Sequence, residues 1–223
     1  MNDVPVQECK RCKNLHPETL YSGKDGFCVY CKADEAESIP APASPVVEDA
    51  PQQTVEEKAR AELALRFLTR KRLLPFVERF NADYQAGWVH KDVCKRLEEF
   101  SKRVVAKESP RLMLFLPPRH GKSTLASVAF PAWHLGRNPQ HEFISCSYSG
   151  SLAMGFSRKV RGLLREPTYK TAFETRLDPE SQSAEAWLTT NGGGFVAAGV
   201  GGGITGKGAH ILVIDDPVKN RED

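Results

Sequence analysis

Residues 111–128 read RLMLFLPPRHGKSTLASV. Five apolar residues, Leu112 to Leu116, run into Pro117-Pro118-Arg119-His120-Gly121-Lys122-Ser123, and small residues at helical spacing follow. The pattern predicts a buried strand, a tight loop and a helix whose first turn begins near Gly121. A loop of this kind turns its backbone N–H groups onto one anion, and the helix N-terminus adds positive potential. Lys122 could then reach the β- and γ-phosphates of ATP, and the Ser123 hydroxyl could ligate Mg²⁺. Pro118, Arg119, His120 and Thr124 complete the predicted phosphate-binding loop. Gly-Lys-Ser also occurs in ordinary turns, and Leu116 stands where the usual pattern, G-x4-G-K-S/T, has its first glycine.

A second stretch sharpens the reading. Ile211-Leu212-Val213-Ile214 is a short apolar run ending in Asp215-Asp216. That is how a Walker B strand presents a Mg²⁺ ligand and a catalytic acid. Both stretches end predicted parallel strands at their C-terminal tips, where α/β sheets bind ligands. The fold class expected is therefore α/β, with a phosphate-binding loop and a metal-binding acid pair at the tips of parallel strands.

The chain has 223 residues, 40% hydrophobic and 26% charged, enough for one full domain and a small module. Its net charge of +3 does not by itself announce a nucleic-acid partner. Residues 33–53 carry five acidic side chains and no Lys or Arg, so the rest of the chain holds a net +8 that could lie against phosphates. Apolar runs are too short to cross a membrane, and MNDVPVQECK carries no hydrophobic signal region, so neither a membrane span nor secretion is expected.

From the start of the chain, Cys9, Cys12, Cys28 and Cys31 form C-x2-C-x15-C-x2-C, the spacing of a tetrahedral Zn²⁺ site in a module over 1–33. Two disulfides are the competing arrangement. His16 could in principle replace a thiolate, though four already fill the shell. The module looks like a zinc ribbon or treble clef, which binds DNA and proteins alike. Residues 34–53 are rich in Ala, Pro and acid and predict an extended tether. A helical subdomain is expected over 54–107. It opens with a capping box at Thr54-Val55-Glu56-Glu57 and carries Ala59, Leu63, Phe67 and Leu74 at helical spacing until Pro75. A second helix is expected over roughly 91–107, with Val93, Leu97 and Phe100 inward. In the aromatic segment between them, Trp88 and His90 are candidates to stack on or hydrogen-bond an adenine, or are simply core.

The ATPase core is expected over 108–223. A second strand is predicted from Glu142 to Ser149, then a helix capped by Ser151 and running to about Glu166. Arg158, Arg161 and Arg165 on that helix could follow a DNA backbone, reach a neighbouring subunit's nucleotide, or form a solvated basic face. Cys94 and Cys146 read as small buried hydrophobes. Nine glycines between 192 and 208 imply close backbone approach or positive φ ahead of the Walker B strand, in a strand and loop or a floppy hairpin.

The segments LMLFLPPRHGKS, FISCSYSGSLAMGFSRKVRGLL and GVGGGITGKGAHILVIDDPVKNRED together resemble the ATPase half of tailed-bacteriophage terminase large subunits, over roughly Leu65 to Asp223. The resemblance implies a P-loop NTPase core of the additional-strand type with a three-layer parallel sheet, and a DNA-packaging ATPase working in the host cytoplasm at the procapsid. It also implies double-stranded DNA as substrate, a small terminase subunit and a portal protein as partners, and a pentameric ring. By position, Lys122 would bind phosphate, Ser123 would ligate Mg²⁺, Asp215 would hold the metal through water, and Arg119 would sense or act on the γ-phosphate. The family's Walker B more usually ends in Asp-Glu. Here Asp216 stands in the glutamate's place and is one methylene shorter, with Glu222 the nearest other acid to serve as base. The family continues into a coupling motif and a nuclease, so a truncated or split product without nuclease activity is expected. A helicase-like translocase and a zinc-dependent adaptor with an inert ATPase remnant are the alternatives.

Overall fold

The computed structural model describes residues 6–8, 10, 15–17, 54–204 and 206–218. The chain divides into two compact units, Met1–Gln53 and Thr54–Asp223. In the first, β1 (Val6–Glu8) pairs antiparallel with β2 (Leu15–Pro17), Gln7 opposite His16. Cys9, Cys12, Cys28 and Cys31 and the predicted tether over 34–53 lie outside the described residues.

The second unit begins with α1 (Val55–Lys71), and the expected capping box forms. The Thr54 N–H donates to Glu57 at 2.8 Å and the Glu57 N–H donates back to the Thr54 hydroxyl at 3.2 Å. The helix ends at Lys71 rather than at Pro75. The chain bends at Arg72 and resumes as α2 (Leu73–Phe80), where Pro75 occupies the first turn and its missing N–H costs nothing. Glu98 stabilises the bend from α3 (Trp88–Val105), accepting the Leu73 N–H at 2.7 Å and the Arg72 guanidinium at 2.8 Å. Val93 and Leu97 of α3 are buried, and Phe100 packs against the core. Of the α1 stripe, Leu63 and Phe67 are 63% and 54% exposed, so this helix seals little of the core.

A π-helical stretch, Thr124–Ala129, runs into α4 (Phe130–Arg137). Then follow β3 (Glu142–Ser147), α5 (Gly150–Arg165), α6 (Pro167–Ala172), β4 (Leu177–Gln182), β5 (Ala186–Thr189), β6 (Gly194–Gly199) and β7 (Ile211–Ile214). The cap of α5 is Ser149, whose hydroxyl accepts the Leu152 N–H at 3.3 Å; the expected cap, Ser151, lies beside it. The strands form one sheet in the order β4-β5-β6-β3-β7. The sheet is mixed rather than parallel. β3 is parallel to β6 and β7, whereas β4, β5 and β6 are antiparallel neighbours because short turns join them.

One transverse row holds this sheet to its helices. Trp187, Phe195, Phe143 and Ile211 sit in register across four strands, each at most 2% exposed, and Trp187, Phe195 and Phe143 lie with nearly parallel rings. Phe130 of α4 meets Phe143 edge-on, and the indole N–H of Trp187 donates to Ser157 of α5 at 3.0 Å. On the other face Ile144, Cys146 and Ala198 form a small cluster closed by Val196 and Ile204, where a three-layer arrangement would place helices.

The expected strand at Leu112–Leu116 joins no ladder. Leu112, Leu114 and Leu116 pack on the core, while Met113 and Phe115 are 78% and 88% exposed, so the segment is extended and half-covered rather than buried. Of Ile211–Ile214, Ile211 alone is buried, because β7 pairs on one side only. The glycine-rich segment makes the close backbone approaches its composition implies: a Cβ on Gly193 would stand 2.3 Å from the His141 and Pro139 carbonyls. One on Gly199 would stand 2.6 Å from the Gly150 nitrogen at the start of α5.

Under the sheet's lower end His134 is fully buried, with Nδ1 2.8 Å from the Ser101 hydroxyl and Nε2 2.9 Å from His141 Nδ1. His141 stacks on His210 at 4.2 Å. Burial, followed by the nearby His141, Arg137 and His210, pushes the His134 imidazole from 6.5 down to about 3. The unfolded chain therefore binds a proton between those values that the folded chain refuses, so stability falls as pH drops from about 6.5 towards about 3. At pH 5 the loss expected from this group is about 2 kcal/mol. Urea unfolding at pH 7.5 and pH 5 checks it: His134→Gln should shrink the difference between the two midpoints. An unchanged difference would rule His134 out as its source.

Candidate functional site

The turn after Leu116 is built from two left-handed residues, Arg119 at φ +64° and Gly121 at φ +74°. A positive φ costs a non-glycine residue about 1–2 kcal/mol, so something must hold Arg119 there. His90 does so from α3. Its Nδ1 accepts the Gly87 N–H at 3.0 Å, which leaves the Nε2 proton to donate to the His120 carbonyl at 3.3 Å. Tyr84 meets the His90 ring edge-on, and its hydroxyl and His90 Nε2 both stand 3.7 Å from where a Cβ on Gly121 would be. The Tyr84 hydroxyl is buried without a hydrogen-bond partner, and burial pushes its pKa up to about 12.

Lys122 and Ser123 open the helix, whose Leu125 N–H returns to the Gly121 carbonyl at 3.0 Å. The π-register that follows has a cause in Pro131. Proline has no N–H to give, and in α-register its ring would strike the Ser127 carbonyl. The Phe130 N–H reaches instead to Leu125, one residue further back than an α-helix allows. In this wider turn the Ser127 hydroxyl donates to Asp215 Oδ2 at 2.8 Å.

The end of β3 holds the two carboxylates. The Asp215 N–H donates to the Cys146 carbonyl at 2.9 Å, and the Ser147 hydroxyl donates to the Asp215 carbonyl at 2.7 Å. The Tyr148 N–H donates to the Asp216 carbonyl at 3.0 Å. Asp215 is 5% exposed, while Asp216 is exposed and sits at φ +46°. Lys122 meets both acids: Nζ donates to Asp216 Oδ1 at 2.9 Å and lies 3.9 Å from Asp215 Oδ1. The hydrogen bond to Asp216, aided by the charges of Asp216 and Asp215, raises the Lys122 pKa against a smaller opposing effect of burial. One cation thus stands beside two carboxylates on a turn able to wrap an anion.

Of the residues singled out from sequence, the structure brings together His90, His120, Gly121, Lys122, Asp215 and Asp216. The Pro118 carbonyl lies 2.8 Å from His120 Nδ1. A carbonyl can only accept, so His120 Nδ1 is the donor. Arg119 is exposed on the turn and Ser123 is half-buried at the helix start. Thr124 lines a separate cleft against Phe80 and Leu163. Glu222 lies outside the described residues. Both ring nitrogens of His90 are engaged, so His90 supports the turn, while Trp88 is 80% exposed at the start of α3. The arginine row is largely spent: Arg161 bonds the Gln182 and Ser183 carbonyls and Arg165 bonds the Gln182 side chain, leaving Arg158 exposed. Cys94 and Cys146 are buried free thiols, as expected of lone cysteines that pack as small hydrophobes.

Sequence reasoning missed Ser127, Ser147 and Tyr84. Ser127 was findable, since it follows Ser123 by four residues and so shares its helix face. Tyr84 gives no such signal, because its position depends on the irregular segment ahead of α3.

Residues 113–223 match the family described as terminase large subunit, T4likevirus-type, N-terminal. No curated protein and no solved structure matches the chain.

Ser127→Ala would leave a buried oxygen of Asp215 without its donor. The expected cost is about 1–3 kcal/mol of stability, read from urea unfolding at pH 7.5, with Ser127→Thr recovering most of it. Equal midpoints for the parent and Ser127→Ala would contradict a stabilising role for this hydrogen bond.

Proposed function

We propose a function from one premise: residues 113–223 belong to the terminase large subunit family of T4-like type, in its N-terminal part. On that footing the chain serves bacteriophage DNA packaging. The finer reading is that it hydrolyses ATP and couples the hydrolysis to movement of double-stranded DNA into the procapsid, in the host cytoplasm. The observation that carries it is the meeting of Lys122 with Asp215 and Asp216, 3.9 Å from the first and 2.9 Å from the second.

Each residue then has a task. The backbone of Pro118 to Ser123, with Thr124 beyond it, surrounds the β- and γ-phosphates, and Lys122 neutralises them. His90 and Tyr84 hold the turn in shape. Arg119, on the outer side of the turn, places positive charge against the γ-phosphate. Asp216 takes the proton of the attacking water as its oxygen bonds to the γ-phosphorus and the bond to the bridging oxygen of ADP breaks. Glu222 is the reserve base. The donor set suits Mg²⁺: Asp215 has one oxygen fixed by Ser127 and the other turned towards Lys122, and the Ser123 hydroxyl is a hard oxygen ligand. When bound, Mg²⁺ supplies positive charge to the phosphates. By their spacing, Cys9, Cys12, Cys28 and Cys31 would hold Zn²⁺ as four thiolates. The working assembly is a pentameric ring that meets a small terminase subunit and a portal protein.

Phosphate release by the full chain, with and without duplex DNA, tests the assignment. Lys122→Ala should lose binding and turnover together. Asp216→Asn should keep Mg·ATP binding while turnover falls on the order of 10²–10⁴-fold, and Asp216→Glu should restore a part. Parent-like turnover in Asp216→Asn would move the base to Glu222, and parent-like turnover in Lys122→Ala would overturn the site.

A further inference from the structure

A second polar cleft, of about 610 Å³, lies at the other end of β3 from the carboxylates. It is lined by Arg70 and Lys71 from the last turn of α1, Arg137 from the end of α4, Glu174, and Thr190 and Asn191 from the turn between β5 and β6. The six residues of β3 separate it from Asp215 by roughly 15–20 Å.

Six arginines in or beside the first three helices of this unit are already spent on acids: Arg60, Arg66, Arg72, Arg79, Arg96 and Arg103 each form an ion pair with a nearby carboxylate. Among the described residues, Arg70, Lys71 and Arg137 form none. Their position in final helical turns offsets the helix dipoles, which accounts for each cation alone. It does not account for three from two helices converging on one cleft. Arg137 is also held in place, its guanidinium 4.6 Å above the Trp133 ring, and Trp133 is fully buried. A stacked guanidinium keeps its N–H edge free and oriented, the form in which arginine takes phosphate oxygens. Thr190 and Asn191 add neutral donors of the kind that contact DNA backbones. Glu174 shares the cleft and opposes an anion, but three cations face its one carboxylate.

We infer that this cleft binds the phosphodiester backbone of duplex DNA, at a place separate from the nucleotide site. The choice of duplex DNA rests on the terminase reading, while the anion-binding character rests on the cleft alone. Contacts to phosphates carry no sequence information, so the cleft's contribution is electrostatic and weakens with salt.

The test is binding of a fluorescent 30-base-pair duplex to the full chain, read by anisotropy across a salt series. Arg137→Ala and the pair Arg70→Ala/Lys71→Ala should each weaken binding roughly 10-fold at low salt and lower the salt slope by about 0.9 for each phosphate no longer neutralised. Lys91→Ala/Lys95→Ala, on an exposed part of α3, should change it less than about 2-fold, although it removes as much charge as the Arg70/Lys71 pair. Arg70 and Lys71 are both exposed, so that variant keeps the test open if Arg137→Ala destabilises the fold. Parent-like binding in both cleft variants, or an equal loss in the Lys91/Lys95 control, would overturn the site. Tripolyphosphate competing as well as the duplex at equal phosphate concentration would overturn duplex DNA as the ligand. Mg·ATP binding should be unchanged in the cleft variants and lost in Lys122→Ala, so a failed nucleotide site and a failed DNA cleft give different results.

Discussion

The contact between Lys122 and the Asp215–Asp216 pair spans 94 positions of sequence, and the rest of the second unit is arranged to make it. Two segments must end at the same place: an extended run into a tight turn, and a short strand into two acids. Neither end is stable alone. Arg119 and Asp216 both sit at positive φ, and Asp215 is a carboxylate taken almost wholly out of water. Buried charge is tolerated only where partners meet it: the Ser127 hydroxyl donates to Asp215, and the Lys122 ammonium stands 3.9 Å away as its counter-charge.

β3 lies at the centre of this arrangement. It pairs with β6 on one side and β7 on the other, and its Cys146 and Ser147, with Tyr148 just beyond, fix the backbone of both acids. The aromatic row through Trp187, Phe195 and Phe143 locks the register on which that alignment depends, because a slip of one residue would turn each ring to the other face. From the helix side, Pro131 forces the π-register, and this wider turn carries Ser127, whose hydroxyl meets Asp215. The local irregularities of the chain thus converge on one carboxylate.

Much of this is legible in the sequence where the signal is local. The capping box at Thr54, the strand at Glu142, the helix ending at Arg165 and the tight turn between Pro117 and Ser123 all follow from neighbouring residues. So does the pairing of that loop with Asp215 and Asp216, because each motif names its partner. What depends on distant contacts is not legible. Leu112–Leu116 has the composition of a buried strand, yet finds no ladder and leaves Met113 and Phe115 in solvent. The antiparallel pairing of β4, β5 and β6 is set by turns rather than by apolar runs, so composition alone suggests a parallel sheet there. His90 suits a nucleotide base by its residue type, but the structure commits both its nitrogens to Gly87 and His120.

If Lys122, Asp215 and Asp216 form one phosphate-binding site, calorimetric titration of a non-hydrolysable ATP analogue into the full chain, with and without Mg²⁺, reads it directly. The expected result is one saturable site that requires Mg²⁺ in the parent and is absent in Lys122→Ala. Undiminished binding in Lys122→Ala, or no binding by the parent at all, would contradict it.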